Sequence, residues 1–480
     1  LYYHKLGTPQ SEDEIFYENP EHPKRNLYAE TTEDQQCLVL YESESTSGNA
    51  MNMKDLTKED SQFVPIAEGF ENDYYMVGKM DNKILIYTND NAPMYRLISV
   101  DIENPNLDEA RTIIPEKEYV LDDCSLAGGK IIAHYLKDAH SKLEVYAPDG
   151  AFVREIGLEG LGTVTSFRGK KDNPVAFYSY TTYTRPRVIY KYDIENDKTE
   201  VFFESDIDFD PSKYITEQVF YKSKDGTEVP MFIVRKKDIP LDGSNPTLLY
   251  GYGGFNVVYT PTFSVSRMIW LENGGIYVNA NIRGGGEYGK KWHEAGTKLQ
   301  KQNVFDDFIA AAEYLINEKY TSPEKLATYG GSNGGLLIGA VINQRPDLFK
   351  VALPMVGVMD MLRYHKFTIG MAWATDYGTS EDNEEMFKYL YEYSPLHNIS
   401  AEKDYPAVMV FTADHDDRVV PAHSFKYIAT LQEKYKGNNP VLIRIETKAG
   451  HSAGKPTSKQ IEEAADMWSF IFYNLGIEPK

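Results

Sequence analysis

The stretch Leu326-Ala327-Thr328-Tyr329-Gly330-Gly331-Ser332-Asn333-Gly334-Gly335-Leu336-Leu337 decides how this chain is read. An apolar run of strand type ends in two glycines, a serine sits at the apex of the turn, and a helix-compatible apolar segment continues to Asn343. Gly330 and Gly334 flank Ser332 in the G-x-S-x-G spacing of a nucleophile elbow. A serine on such a turn projects its hydroxyl clear of the sheet. A Cβ at either flanking position would meet the neighbouring strand or helix. The peptide N–H groups after Ser332 can then point at a developing oxyanion. The plain alternative is a tight strand-to-helix turn with no chemistry.

Working outward, runs of buried-strand character alternate with amphipathic ones from near residue 208 onward. The strand-like runs are Thr247 to Tyr250, Ile276 to Ile282, Leu326 to Tyr329, Val351 to Val356, Ala407 to Phe411 and Val441 to Ile445. Between them lie stretches such as Val304 to Lys319 and Ala422 to Lys434. Alternating β and α predicts a doubly wound, mostly parallel sheet, with Ser332 after the third of these strands.

A serine hydroxyl is a weak nucleophile at neutral pH and needs a base, which in turn needs an orienting carboxylate. On this fold the partners should follow in the order serine, acid, histidine, each at the end of a strand. Ala407 to Phe411 runs into Thr412-Ala413-Asp414-His415-Asp416-Asp417-Arg418, and Val441 to Ile445 runs toward Lys448-Ala449-Gly450-His451. Of the histidines, only His415, His423 and His451 lie beyond the acid strand. His415 sits inside the acidic cluster and His423 on an apparent helix, so His451 is the candidate base. Asp414, Asp416 and Asp417 compete for the acid, and spacing does not separate them. Two other motifs carry less. Gly284-Gly285-Gly286-Glu287-Tyr288-Gly289 matches a dinucleotide fingerprint literally, but it lies mid-domain before a weak helix start. The acidic cluster lacks histidines at ligand spacing, so no metal and no other cofactor is expected.

The first 200 residues have a different period. Leu38-Val39-Leu40-Tyr41, Ile84-Leu85-Ile86-Tyr87, Ile131-Ile132-Ala133-His134 and Val175-Ala176-Phe177-Tyr178 begin 46, 47 and 44 residues apart. After three of them a second strand ends in a turn, at Ser99-Val100-Asp101, Val145 to Gly150 and Tyr190 to Asp193. A period near 45 with several strands per repeat is the mark of an all-β propeller, here four repeats. The alternative is an irregular β-sandwich. The chain opens Leu1-Tyr2-Tyr3-His4, without Met and in a strand-like pattern. It is expected to begin inside a strand of a fifth repeat and to be part of a longer protein. The predicted division is residues 1–207 for the propeller and 208–480 for the α/β domain.

Composition narrows the functional class. Hydrophobic residues at 42% and charged residues at 25% suit a globular protein. No apolar run of 18 residues occurs, so no membrane span is expected. The net charge of −22 opposes nucleic-acid binding. Cysteine is confined to Cys37 and Cys124, which reads as a reducing, cytoplasmic compartment.

Taken together, the chain resembles the prolyl oligopeptidase family over essentially its whole length. The resemblance is carried by Leu249-Tyr250-Gly251-Tyr252-Gly253-Gly254-Phe255, Asn281 to Gly289, Gly330 to Leu337, Asp414 to Pro421 and Lys448 to Pro456. It implies an α/β-hydrolase domain capped by a β-propeller, and a serine endopeptidase that cuts short peptides after proline through an acyl-enzyme. It implies a triad of Ser332, Asp416 and His451, and an oxyanion hole of the Tyr252 hydroxyl and the Asn333 backbone N–H. Arg418 would bind a substrate carbonyl. Trp373 would stack on the proline ring, with Phe255, Val358, Tyr377 and Val419 lining the pocket. Proline is rigid, apolar and lacks an N–H, so a flat aromatic slot selects it by shape and burial. Trp373 also argues against the relatives specific for basic residues, whose pocket should carry carboxylates. The implied partners are short proline-containing peptides, and the implied state is a monomer.

Two departures stand out. Ser452 follows His451 where the family more usually has glycine. The resemblance implies a seven-bladed propeller with a segment before it, so about three blades and that segment are expected to be missing from this sequence; an arc of four blades is expected to have open edges and exposed core. Two further readings accompany the peptidase. A macrocyclase of the same family would use the same triad, with a substrate amine in place of water. A non-catalytic peptide-binding or regulatory protein would follow if the shortened form is the real one.

Overall fold

Each of the four repeats folds into its own antiparallel sheet of four strands, joined in strict chain order, in the computed structural model, which describes residues 1–451 and 454–479. The sheets run from Asn26–Thr31 to Val64–Ala67, from Tyr74–Met80 to Arg111–Ile114, from Val120–Ala127 to Phe152–Ile156 and from Thr163–Gly169 to Lys198–Glu204. The repeated apolar runs are the second strands, Cys37–Ser43, Lys83–Thr88, Lys130–Lys137 and Val175–Thr181. For the second and third sheets the continuous apolarity has a simple cause: both faces are covered, because each of these sheets packs between two others. Leu85 points into the cluster shared with the third sheet, whereas Ile84 and Ile86 point into the cluster shared with the first. Ile131 and Ala133 likewise face back toward the second sheet, and Ile132 faces forward to the fourth. The period-two alternation of a strand thus builds one core on each side of the second and third sheets.

The innermost strands of all four sheets line one channel of about 740 Å³, with Glu30, Asp34, Lys79, Asp123, Arg168 and Lys171 on its wall. That radial arrangement is the propeller. The first residues depart from the expected strand of a fifth repeat: among the described residues, Tyr2–Tyr3 pairs with Glu14–Ile15 alone, as a separate ribbon. Pro9, Pro20 and Pro23 interrupt the stretch around it. On the outermost strand of the fourth sheet, Val201, Phe202 and Phe203 are exposed. Cys37 and Cys124 are both free and buried, in the first and third sheets.

The remaining strands form one eight-stranded sheet: β1 (Tyr214–Lys222), β2 (Glu228–Lys236), β3 (Thr247–Tyr250), β4 (Ile276–Ala280), β5 (Leu326–Gly331), β6 (Val351–Met355), β7 (Ala407–Ala413) and β8 (Val441–Glu446). Its spatial order is β1-β2-β4-β3-β5-β6-β7-β8. Pairing is antiparallel for β1–β2 and β2–β4 and parallel everywhere else. The β1–β2 hairpin is absent from the sequence-based strand assignment, since Tyr214–Lys222 mixes charged and apolar residues. Helices Gln302–Asn317 and Asn333–Gln344 bury Phe305, Phe308, Leu336 and Ile338 on one face with Leu249 and Val278. Helices Val265–Glu272 and Thr457–Leu475 bury Trp270, Leu271, Trp468 and Ile471 on the other with Leu248 and Tyr277. The sheet is covered on both sides, as its parallel strands require. This architecture is an α/β-hydrolase domain carrying a β-propeller arc.

The two parts meet along a polar and aromatic seam. The Tyr183 ring lies 5.6 Å from Phe232 and 5.7 Å from Tyr277. Tyr288 donates to Asp138 at 2.8 Å, and the Lys290 N–H donates to the Pro93 carbonyl at 2.9 Å. The glycine-rich segment Gly284–Gly289 belongs to this seam. A Cβ at Gly289, whose φ is 71°, would stand 2.2 Å from the Pro93 carbonyl oxygen. Among the described residues no helix is long and apolar enough to cross a membrane.

Candidate active site

Strand β5 ends at Gly331, and Ser332 follows with φ 58° and ψ −117°, outside the ordinary range for a residue with a side chain. Three backbone bonds hold the turn: Ser332 N–H to Met355 O at 2.9 Å, and Gly335 N–H and Leu336 N–H to Ser332 O at 2.9 and 3.1 Å. The glycines are sterically required. A Cβ at Gly330 would stand 2.5 Å from Gly334 O, and one at Gly334 2.8 Å from Gly251 O. Asn333 is the first residue of its helix, so its N–H has no intrahelical acceptor and lies at the positive end of the helix dipole.

Strand β7 ends at Ala413 and delivers Asp416, which is 2% exposed. Its Oδ1 accepts from the N–H groups of Arg418 and Val419 at 3.0 and 2.9 Å. Its Oδ2 lies 2.6 Å from Nδ1 of His451, which follows strand β8. With both oxygens engaged, the carboxylate has one orientation, and a proton on Nδ1 leaves the Nε2 lone pair free. The competing acids are elsewhere. Asp414 pairs with the exposed His415 at 2.6 Å, and Asp417 is exposed. His423 accepts the Asp360 N–H at 3.1 Å, and burial pushes its pKa down to about 4, so its ring stays neutral. His451 and Gly331 line one cavity of about 450 Å³. Among the described residues, no hydrogen bond joins the Ser332 hydroxyl to His451. Ser452 lies outside the described residues.

Tyr252 follows strand β3, half-buried. Burial raises its pKa, helped by Tyr259 and Asp376, while the Ser332 hydroxyl and the Arg418 charge act in the opposite direction. The Tyr252 carbonyl accepts from Asn333 Nδ2 at 2.6 Å. Asn333 Oδ1 in turn accepts from the Tyr377 hydroxyl at 2.8 Å and from Lys301 Nζ at 3.1 Å. One amide side chain therefore ties the loop after β3 to the start of the helix after Ser332.

The expected pocket residues share one apolar cluster. Val358, Trp373, Tyr377 and Val419 are buried in it and Phe255 packs against it. Phe255 and Tyr377 meet edge to face at 5.4 Å. Tyr364, which sequence reasoning missed, stacks parallel to Trp373 at 6.2 Å and meets Tyr377 edge-on at 5.3 Å. Asp376, also missed, is buried behind the slot. It accepts the N–H of Phe255 at 2.7 Å and lies 2.9 Å from His293 Nε2. Phe255 has φ 57°, a left-handed backbone that this carboxylate helps to hold. The Arg418 side chain is exposed, beside the buried Val419. A hydroxyl on a strained turn, an oriented imidazole and an aromatic slot can together support acyl transfer at a residue that fits the slot.

Comparison with known proteins agrees with this chemistry. Residues 261–478 match the sequence profile of the prolyl oligopeptidase family, and residues 1–205 match that of the prolyl oligopeptidase N-terminal β-propeller domain. A prolyl endopeptidase of Elizabethkingia miricola is 51% identical over 478 residues, covering 100% of this chain and 68% of the relative. A solved prolyl endopeptidase structure superposes with a TM-score of 0.95 at 42% identity, covering 99% of this chain and 70% of that one. Prolyl oligopeptidase B of Galerina marginata, bound to a 35mer hydrolysis and macrocyclization substrate, gives a TM-score of 0.95 at 37% identity, covering 100% of this chain and 69% of that one. The chain thus spans about two thirds of the length of its relatives. With two-domain architecture, profile matches and close relatives in accord, the chain belongs to the prolyl oligopeptidase family of serine peptidases.

Proposed function

We propose that Ser332, Asp416 and His451 act as the triad of an endopeptidase that cleaves short peptides on the carboxyl side of proline. The observation that carries this is the buried Asp416 fixed 2.6 Å from His451 Nδ1, in a domain that sets Ser332 on a left-handed turn. His451 Nε2 takes the Ser332 proton as the oxygen attacks the carbonyl after proline. The tetrahedral oxyanion accepts from the Tyr252 hydroxyl and the Asn333 N–H. The proton then passes to the leaving amine, and the acyl-enzyme ester forms. Water attacks the ester with His451 again as base, while Asp416 remains ionised and stabilises the imidazolium. The hydrogen bond from Ser332 to Nε2 is one of those that form on substrate binding. Trp373 covers the proline ring, Phe255, Val358, Tyr377 and Val419 enclose it, and Arg418 binds a carbonyl nearby.

The domain division is taken as residues 1–207 and 208–480. It is supported by the change from four-stranded sheets ending at Glu204 to the eight-stranded sheet beginning at Tyr214. The protein acts as a cytoplasmic monomer that binds no nucleic acid, in keeping with its net charge of −22 and its free cysteines. Labelling by a serine-directed phosphonate, and cleavage of a proline-containing peptide, test the reading. Ser332→Ala should abolish the label and lower kcat by about 10⁶; unchanged turnover would refute the mechanism. A second reading is favoured by one relative, whose solved complex holds a hydrolysis and macrocyclization substrate. In that case product mass shows loss of water relative to the linear peptide.

A further inference from the structure

Lys301 is 1% exposed, at a position where a lysine is out of place. It immediately precedes helix Gln302–Asn317, where the helix dipole disfavours a cation, and burial adds a desolvation cost. Among the described residues it forms no ion pair with a carboxylate. Its Nζ donates to Gly253 O at 2.7 Å and to Asn333 Oδ1 at 3.1 Å, and it lies 5.4 Å from the centre of the Tyr377 ring. Gly253 adjoins Tyr252, and Asn333 adjoins Ser332. The ammonium therefore bridges the two segments that supply the hydroxyl and the backbone N–H of the oxyanion hole. A structural cross-link would need only a neutral donor, so a buried charge between the segments of Tyr252 and Asn333 points to electrostatics.

We propose that Lys301 is a positioning residue for the oxyanion hole, its ammonium clamping Gly253 O and Asn333 Oδ1 so that Tyr252 and the Asn333 N–H converge on the oxyanion. This rests on the assignment of Tyr252 and Asn333 as the oxyanion donors. The charge adds a field of the right sign, and the clamp fixes the distance between the donors before substrate arrives. The titratable groups around it are Asp376, Tyr377 and Tyr252, with His293 behind Asp376 and the Tyr389 hydroxyl on the neighbouring Gln302 N–H at 2.8 Å. Burial pulls the Lys301 pKa down to about 8, against the attraction of Asp376. The cation is present below that pH and is lost as pH rises through it.

The test is kinetics of the full chain on a proline-containing peptide across pH 6 to 10, with Lys301→Met beside the native protein. For Lys301→Met the expected result is kcat lower by roughly tenfold to a hundredfold, less than loss of a direct donor, with KM within about threefold. Affinity for a peptide aldehyde, whose adduct with Ser332 carries the oxyanion, should fall by the same factor, while affinity for the cleaved product stays unchanged. The native kcat should decline above about pH 8, and the variant should lack that limb. Equal losses of product and aldehyde affinity, or an unchanged kcat with an unchanged alkaline limb, would overturn the proposal. A ¹⁵N-lysine spectrum of the native protein needs no variant. One side-chain resonance should titrate near pH 8, and its pKa should rise when the aldehyde binds; no rise overturns the proposal. If phosphonate labelling or Ser332→Ala contradicts the triad, the parent reading fails separately, since the lysine titration of the free protein is measured without catalysis.

Discussion

The two sides of the site are built on opposite principles. On the polar side, Ser332 with Asn333, Asp416, His451 and Tyr252 come from four different strand ends, and directional bonds of 2.6 to 3.1 Å hold these segments. On the apolar side, Trp373, Tyr377 and Tyr364 come from one short segment after β6 and are held by ring contacts 5.3 to 6.2 Å apart. Hydrogen bonds fix direction and tolerate little displacement, whereas ring packing fixes volume and shape. The polar side should therefore determine whether any peptide is cut, and the apolar side which one.

Substitutions can break that division. Ser332→Ala has the largest expected effect, about 10⁶ in kcat for proline and alanine peptides alike. A loss confined to proline peptides would show that the two sides are not separate. Tyr252→Phe keeps the ring and removes one donor, so kcat should fall roughly 10²–10³ with little change in KM; a KM effect instead would make Tyr252 part of the pocket. Trp373→Ala is the smallest. It should lower kcat/KM for a proline peptide by about 10- to 200-fold, the range for one apolar contact surface, and affect an alanine peptide less. The phosphonate labelling rate, measured with a reagent lacking proline, should stay unchanged in that variant.

How far each part was legible in the sequence follows from how local its signal is. The elbow is contiguous, so its spacing shows in the sequence, although only Gly330 meets a near neighbour, Gly334, while Gly334 itself is pressed against the distant Gly251. The blades repeat, so periodicity exposes them even though each strand is short. Strand order showed which two strand ends should hold an acid and a base, but it left Asp414, Asp416 and Asp417 unseparated, and Asp416 was singled out by the family resemblance alone. The supporting residues were not legible. Asp376 meets Phe255 across 121 positions of chain, and nothing in Thr375-Asp376-Tyr377 marks that carboxylate as buried. Lys301 sits in Lys298-Leu299-Gln300-Lys301, which reads as a solvated turn, and only the packed structure withdraws it from water. Likewise the β1–β2 hairpin depends on pairing with β4 and leaves no clean alternation of its own.

The left-handed backbone at Ser332 has a consequence for how such a protein can drift. A side chain at φ 58° and ψ −117° costs on the order of 1–3 kcal/mol, and glycine occupies that region freely. The extra freedom of glycine in the unfolded chain offsets only about 0.5–1 kcal/mol of this. Ser332→Gly should therefore melt at a higher temperature than Ser332→Ala, and an equal or lower midpoint would contradict the strain argument. On the strain argument the fold would be sturdier with glycine in place of Ser332. Stability alone favours glycine at this dihedral, so a serine there carries a cost that the catalytic role proposed for Ser332 would account for.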